Sequence, residues 1–462
     1  MISRLAFVLF ALLLLPLSAA DRPNLILVMA DDMGWGQTGY RNHPVLKTPN
    51  LDAMAANGLR FEHFYAGAPN CSPTRATVMT GRTNDRTGVL DHGFPLRLQE
   101  KTIARALRDV GYATGHFGKW HLSGFSGPGA PILKEDERSP GAFGFDTWLS
   151  VTNFFDRDPL LSRNGEFEEF QGDSSEIIVD EALRFIGATA KTEKPSFVVI
   201  WYGSPHSPFM ASEEDMAAFS ELDDNSRKHY GELVAMDRSV GALRAGLRDL
   251  GIAEDTLVWF NSDNGGLPEV KPTSVGGLRG HKNTVYEGGL RVPGIVEWPA
   301  GIPTPRVTES PAGTVDIFPT LAEVAGLPES ALPTVRDGMS LVPLFKEELP
   351  TRETPLGFRH KGRAAWIDND YKLVTQSIAK GEFELYDLAE DPNETRDLAA
   401  SDPETLARLV ADFSKWNESV EAITDAITER RNWPDLEIYR PWIEEWKGRP
   451  EFSPYLKGSK KK

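Results

Sequence analysis

The stretch Asn24-Leu25-Ile26-Leu27-Val28-Met29-Ala30-Asp31-Asp32 decides the fold. From Leu25 to Ala30 the run is apolar without a break, which fits a strand buried on both faces, as in a parallel sheet, rather than a half-exposed one. It ends in two adjacent carboxylates. In open α/β sheets ligands bind beyond the carboxyl ends of the strands. Two buried acids at that place are costly unless something positive sits between them.

Two later runs repeat the design. Ser196-Phe197-Val198-Val199-Ile200-Trp201 leads into Gly203-Ser204-Pro205-His206, and Thr256-Leu257-Val258-Trp259-Phe260 leads into Asn261-Ser262-Asp263-Asn264-Gly265-Gly266. Asp31, Asp32, Asp263 and Asn264 then form an all-oxygen set, which suits a hard divalent cation such as Ca2+ or Mg2+ rather than zinc. Helical periodicity over residues 102–110, 174–190 and 227–250 supplies connections between strands. Residues 112–121 end in Gly118-Lys119-Trp120-His121. If that piece is extended, Lys119 and His121 project to the same side and can serve an anion or a proton transfer.

The only cysteine lies in Asn70-Cys71-Ser72-Pro73-Thr74-Arg75, followed by Thr80-Gly81-Arg82. Pro73 can open a helix, because its missing N–H would be unpaired in the first turn anyway. Cys71 and Arg75 are then one turn apart beside the positive helix end, a place suited to an anion. Residues 276–293 are glycine-rich and carry Arg279, His281, Lys282 and Arg291, cations that could complete an anion pocket. A strand over 292–298 and a helix over 314–325 follow. From about residue 355 the pattern changes to short alternating strands at 364–367, 371–375 and 383–388, and then to helix from residue 398.

The 462 residues contain 50 Lys+Arg against 67 Asp+Glu, a formal charge of -17, which argues against nucleic acid or an anionic membrane as the main partner. Residues 1–20 hold a basic Arg4, an apolar run from Leu5 to Leu17 and Ser18-Ala19-Ala20, the pattern of a secretory signal peptide too short to span a bilayer comfortably. An exported, periplasmic or secreted protein with one thiol has no internal disulfide framework, so Cys71 is expected to carry chemistry or a modification.

These motifs resemble the sulfatase family, within the alkaline-phosphatase-like superfamily. The resemblance is carried by Asp31-Asp32-Met33-Gly34, Cys71-Ser72-Pro73-Thr74-Arg75, Gly118-Lys119-Trp120-His121, Ser204-Pro205-His206, Ser262-Asp263-Asn264-Gly265, Lys282 with Glu287-Gly288-Gly289, and Leu385-Tyr386-Asp387-Leu388, and it spans nearly all of the chain after residue 22. It implies an α/β fold with a large mixed, mainly parallel sheet flanked by helices, over residues 21–354, and a smaller C-terminal α+β subdomain and tail over 355–462.

The resemblance further implies that Cys71 is oxidised to Cα-formylglycine by a maturation enzyme, and that the aldehyde hydrate attacks sulfur with one hydroxyl and expels sulfate with the other. It places one Ca2+ on Asp31, Asp32, Asp263, Asn264 and the residue made from Cys71. Arg75 and Lys119 would hold the diol, His121 would take its second proton, and His206 and Lys282 would bind sulfate and protonate the leaving oxygen. The sequence departs from the family at His281, where a small residue is expected, and after Gly144-Phe145-Asp146, where Asn153 is the one candidate sulfate contact. The substrate implied is a sulfated small molecule or glycan. The alternatives are a phosphonate monoester or phosphodiester hydrolase of the same superfamily and a catalytically silent binder of sulfated glycans.

Overall fold

The computed structural model describes residues 22–124, 129–192 and 194–425. Residues 1–20, expected from the sequence to be a signal peptide, and the tail at 458–462 lie outside them.

The sheet grows from the opening run. The strands of the large sheet, in chain order, are β1 (Asn24–Ala30), β2 (Leu59–Tyr65), β3 (Ala113–Lys119), β4 (Thr147–Val151), β5 (Leu160–Arg163), β6 (Glu166–Glu169), β7 (Ser196–Trp201), β8 (Thr256–Ser262), β9 (Arg291–Glu297), β10 (Arg306–Thr308) and β11 (Ala312–Gly313). Their spatial order is β10-β2-β9-β8-β1-β7-β3-β4-β5-β6, with β11 also on β2. At the centre, β1 pairs in parallel with both β7 and β8, and β3 pairs in parallel with β7 and β4. β9 is antiparallel to β8, and β5 and β6 close the far edge as an antiparallel meander. The sheet is therefore mixed and mainly parallel, as expected.

Both faces are covered, which is why β1 has no polar alternation. Leu25, Leu27 and Met29 enter one core with Trp201, Trp259 and the helix Ile317–Val324, while Ile26, Val28 and Ala30 enter the other with the helices Ser174–Ala190 and Asp224–Asp249. Local signals set the helix ends. Asp173 and Asp223 accept from the backbone N–H groups of Ser175 and Ser226, satisfying donors that the first turn leaves free.

A separate antiparallel sheet follows in the order β12 (Leu356–His360), β13 (Arg363–Asp368), β14 (Tyr371–Thr375), β15 (Glu384–Asp387). One face packs through Ala364, Trp366 and Leu373 against Leu409 and Phe413 of the helix Pro403–Asp425. The other lays Leu356, Phe358 and Ile367 on Tyr65, Val285 and Leu290 of the large domain. A buried charge cluster crosses this junction. Lys372 Nζ lies 2.8 Å from Glu287 and 2.9 Å from Glu394, and all three side chains are shut off from solvent.

Candidate active site

The parallel strands β1, β7, β8 and β3 deliver their carboxyl ends to one place. Asp263 N–H donates to the carbonyl of Ala30 at 3.0 Å, and Asp31 N–H donates to that of Ser204 at 3.0 Å, so three strand ends are stitched together directly below the polar residues. Asp32 has φ 69°, a left-handed turn that Asp tolerates better than most residues, and its N–H donates to Asp263 Oδ1 at 3.2 Å. At Gly265 a Cβ would stand 1.9 Å from the Gly288 carbonyl oxygen, so only glycine lets the loop after β8 close against residues 288–289.

Cys71 is the first residue of the helix Cys71–Thr80 and is 2 % exposed. The helix thus starts two residues ahead of Pro73, which sits inside the first turn. Arg75, one turn on, donates through Nη2 to Asp263 Oδ2 at 2.8 Å and through Nη1 to the Lys119 carbonyl at 3.1 Å, with its guanidinium over the Trp201 ring. Lys119 Nζ pairs with Asp31 Oδ2, and Lys282 Nζ with Asp32 Oδ2 at 2.8 Å. His206 Nε2 is 3.7 Å from Asp32, its Nδ1–H donates to the Ser207 carbonyl at 2.6 Å, and its ring stacks on Phe154 at 4.7 Å. The residues singled out in the sequence therefore meet, three carboxylates facing three permanent cations.

Two sequence expectations are corrected. β3 ends at Lys119, and His121 has φ 53°, so the pair is not carried on one extended face. His121 comes to the site by a left-handed turn instead, 2 % exposed and with neither ring nitrogen hydrogen-bonded. Of the cations in residues 276–293, only Lys282 joins the carboxylates. Arg279 is held by Tyr386 and the Glu394 carbonyl, Arg291 stacks on Trp35 and donates to the Glu62 carbonyl, and His281 Nδ1 bonds the Lys282 carbonyl. Asn153, beside Phe154, is buried.

The electrostatics explain what the cluster lacks. Burial and the neighbouring Asp31 carboxylate push Asp263 up to about 7 despite Arg75 and Lys119. Burial would also raise Asp32, but Lys282, His206 and the Asn264 amide hold it below the usual carboxylate range. Asp31 Oδ1 and Asn264 Oδ1 are buried without a hydrogen-bond partner, and Asp31, Asp32 and Asp263 each offer an oxygen within 4.8 Å of the others. Unpaired acceptor oxygens in an acid-rich cage fit a hard divalent cation. Burial pushes the Cys71 thiol up to about 11, against the pull of Lys119 and Lys282, so as encoded it is a poor nucleophile at neutral pH.

Sequence reasoning overlooked the residues that hold the start of the Cys71 helix. Asn70 Nδ2 donates to Asp91 Oδ1 at 2.8 Å, and Ser72 Oγ accepts from Gly93 N–H at 2.9 Å. No motif marks Asp91 or Gly93; only the fold brings that loop back.

A family model of the sulfatase domain matches residues 23–327, and one of the C-terminal region of N-sulphoglucosamine sulphohydrolase matches residues 280–418. N-acetylgalactosamine-6-sulfatase of Sus scrofa is 35% identical over 391 residues, 76% of this chain and 72% of that relative. Arylsulfatase A of Homo sapiens is 32% identical over 464 residues, 85% of this chain and 87% of that protein. Among solved structures, Ps i-CgsB in complex with k-i-k-neocarrahexaose matches with a TM-score of 0.76 at 26% identity, over 88% of this chain and 98% of that one.

Proposed function

The chain belongs to the sulfatase family, hydrolases of sulfuric esters, and from that premise we propose that it is an exported, calcium-dependent sulfatase acting on sulfate monoesters of carbohydrates or aryl alcohols through a nucleophile made from Cys71. The observation that carries this reading is the meeting of Cys71 and Arg75, one helical turn apart, with three buried carboxylates and the cations Lys119 and Lys282.

Asp31, Asp32, Asp263 and Asn264 would hold Ca2+, which when bound supplies Lewis-acid polarisation of a sulfate oxygen. Cα-formylglycine at position 71 would supply a hydrated aldehyde in place of a thiol that burial keeps protonated. The chain's own residues do the rest. Arg75 and Lys119 fix Asp263 and Asp31 and place positive charge where negative charge grows on the sulfuryl group. Burial first, then Lys119 and Arg75, lowers the pKa of His121 well below its ordinary value, so the ring stands neutral at the site with a lone pair on one nitrogen. Burial works against the charge on Lys282, but Asp32, Cys71 and Asp31 together outweigh it and hold the ammonium above its ordinary pKa. His206, with its Nδ1–H tied to a carbonyl, turns Nε2 toward the same carboxylate. Lys282 and His206 together are the groups placed to hold sulfate and to serve the leaving oxygen.

The export reading rests on residues 1–20; among the described residues no helix is long and apolar enough to cross a membrane. The test is hydrolysis of 4-nitrophenyl sulfate by the wild type and by Cys71→Ala, together with mass spectrometry of the peptide around position 71. Turnover abolished by the substitution, and a wild-type peptide lightened by the replacement of the thiol with an aldehyde oxygen, are the expected results. Undiminished turnover in Cys71→Ala would overturn the mechanism.

A further inference from the structure

Cys71, as encoded, belongs to a second donor set besides the carboxylate cage. Its sulfur, an oxygen of Asp31 and a ring nitrogen of His206 all lie within 4.8 Å of one another. The three come from different elements: the start of the Cys71 helix, the turn after β1 and the loop after β7. Sulfur, nitrogen and oxygen together differ in kind from the all-oxygen set that Asp31 makes with Asp32 and Asp263. Hard cations such as Ca2+ take oxygen ligands, whereas a thiolate with an imidazole selects a softer metal such as Zn2+.

Each member is prepared for a metal. His206 Nδ1–H donates to the Ser207 carbonyl at 2.6 Å, which leaves Nε2 as the ligating nitrogen of the neutral ring. A ring N–H tied to a carbonyl is the usual outer support of a metal-bound histidine. Phe154, stacked on that ring at 4.7 Å, fixes its plane. Asp31 Oδ2 pairs with Lys119, while Asp31 Oδ1 is buried without a hydrogen-bond partner. Cys71 is the only thiol of the chain and makes no disulfide. Zinc bonds of about 2.0–2.3 Å need small side-chain movements to draw the three atoms onto one ion, with water in the fourth tetrahedral position.

We propose that the chain with an unaltered thiol at position 71 binds Zn2+ through Cys71, His206 and Asp31, and that the chemical state of residue 71 decides which metal the site takes. Binding forms a sulfur–zinc bond and breaks the S–H bond; the proton leaves to water and no electron changes hands. Asp31 is common to both donor sets, so zinc and calcium exclude each other. Replacing the sulfur by the oxygens of an aldehyde hydrate removes the ligand that favours zinc and leaves the hard set intact. The contrast with calcium rests on the sulfatase reading of the site; the zinc site itself does not.

The experiment uses the full chain made in a cell-free system without a maturation enzyme, its thiol verified by mass spectrometry, with Co2+ and Zn2+ as probes. With one cysteine in the chain, a thiolate-to-cobalt charge-transfer band in the near ultraviolet has a single source. The expected result is such a band on adding Co2+, bleached by Zn2+ and absent in Cys71→Ser. Zinc affinity, read by competition with a chromophoric chelator, should fall more than roughly 100-fold in Cys71→Ser and at least roughly 10-fold in His206→Ala, since losing even an outer support of a ligand costs that range. No band in the wild type overturns the proposal without recourse to any variant, and so does a zinc affinity that either substitution leaves unchanged. In thermal melts ZnCl2 should stabilise the thiol chain more than CaCl2 does, with the order reversed in converted protein; the same order in both overturns the dependence on residue 71. Hydrolysis of 4-nitrophenyl sulfate by converted protein is read separately, so the zinc site can fail with the sulfatase reading intact, and the reverse.

Discussion

Arg75 and Asp263 form a charge pair on the floor of the site, with Nη2 2.8 Å from Oδ2 and both side chains 0 % exposed. The pair joins the Cys71 helix to the end of β8. Removing one member of such a pair leaves the other buried and uncompensated. Arg75→Met is therefore expected to cost about 3–5 kcal/mol of unfolding free energy, read from urea unfolding followed by circular dichroism. Arg75→Met with Asp263→Asn should recover part of the loss; a single substitution costing under about 1 kcal/mol would mean that the charge is not what joins these elements.

The unpaired oxygens of Asp31 and Asn264 make metal binding visible in stability. A ligand that binds only the native state at about a hundredfold its Kd adds roughly 2.7 kcal/mol. The melting temperature of the wild type should rise with CaCl2 and fall with a chelator. In Asp31→Asn and Asn264→Ala that shift should shrink to less than half. A calcium shift equal in all three proteins would place the ion elsewhere.

His116 gives the sign of one pH effect. Its ring lies in a box formed by Trp120, Phe145 and Trp201, and burial, then Arg75, lowers its pKa well below the ordinary value. Below pH 6.5 the unfolded chain gains a proton here that the native chain refuses, so stability falls with falling pH, by about 1.4 kcal/mol per unit from this one group. His116→Phe removes that contribution. Its unfolding free energy should improve relative to the wild type by about that amount between pH 6 and pH 5. Parallel stability curves would show that the native ring is already protonated.

Lys372 anchors the second sheet. Lys372→Met would leave Glu287 and Glu394 facing each other out of reach of solvent, where burial already pushes Glu394 up to about 7 against the pull of the lysine. Differential scanning calorimetry should show a loss of about 3–5 kcal/mol, and adding Glu394→Gln should return part of it. If the single variant melts like the wild type, the cluster contributes nothing to holding the sheet in place.

The parts of the fold legible in the sequence are those with unbroken apolar runs. β1, β7 and β8 announce themselves because both faces are buried, and their polar ends line up because parallel strands finish on one side. β2 is hidden by its own irregularity: its register on β9 shifts between Phe61 and Phe64, which breaks the period-2 pattern. β10 and β11, three and two residues long, are below the length at which periodicity can be read. In the candidate site, residue types were legible but directions were not. Nothing in the order of residues 276–293 says that Arg279 will turn away to two tyrosines and Arg291 to a tryptophan while Lys282 turns to Asp32. His121 is found by its neighbours in sequence, although the backbone that delivers it is not the one its spacing suggests.

The pairing of β1 with β8 has a consequence for timing. Asn24 to Ala30 cannot complete their partnership until Thr256 to Ser262 have been synthesised, and the Arg75 pair with Asp263 waits on the same segment. At synthesis rates of about 5–20 residues per second, position 71 precedes its burial by roughly 10–40 seconds. Afterwards it is 2 % exposed at the foot of a packed helix. An enzyme that modified Cys71 would therefore have to meet the chain before it folds, and a delay in that encounter would lock the unaltered thiol inside the finished protein.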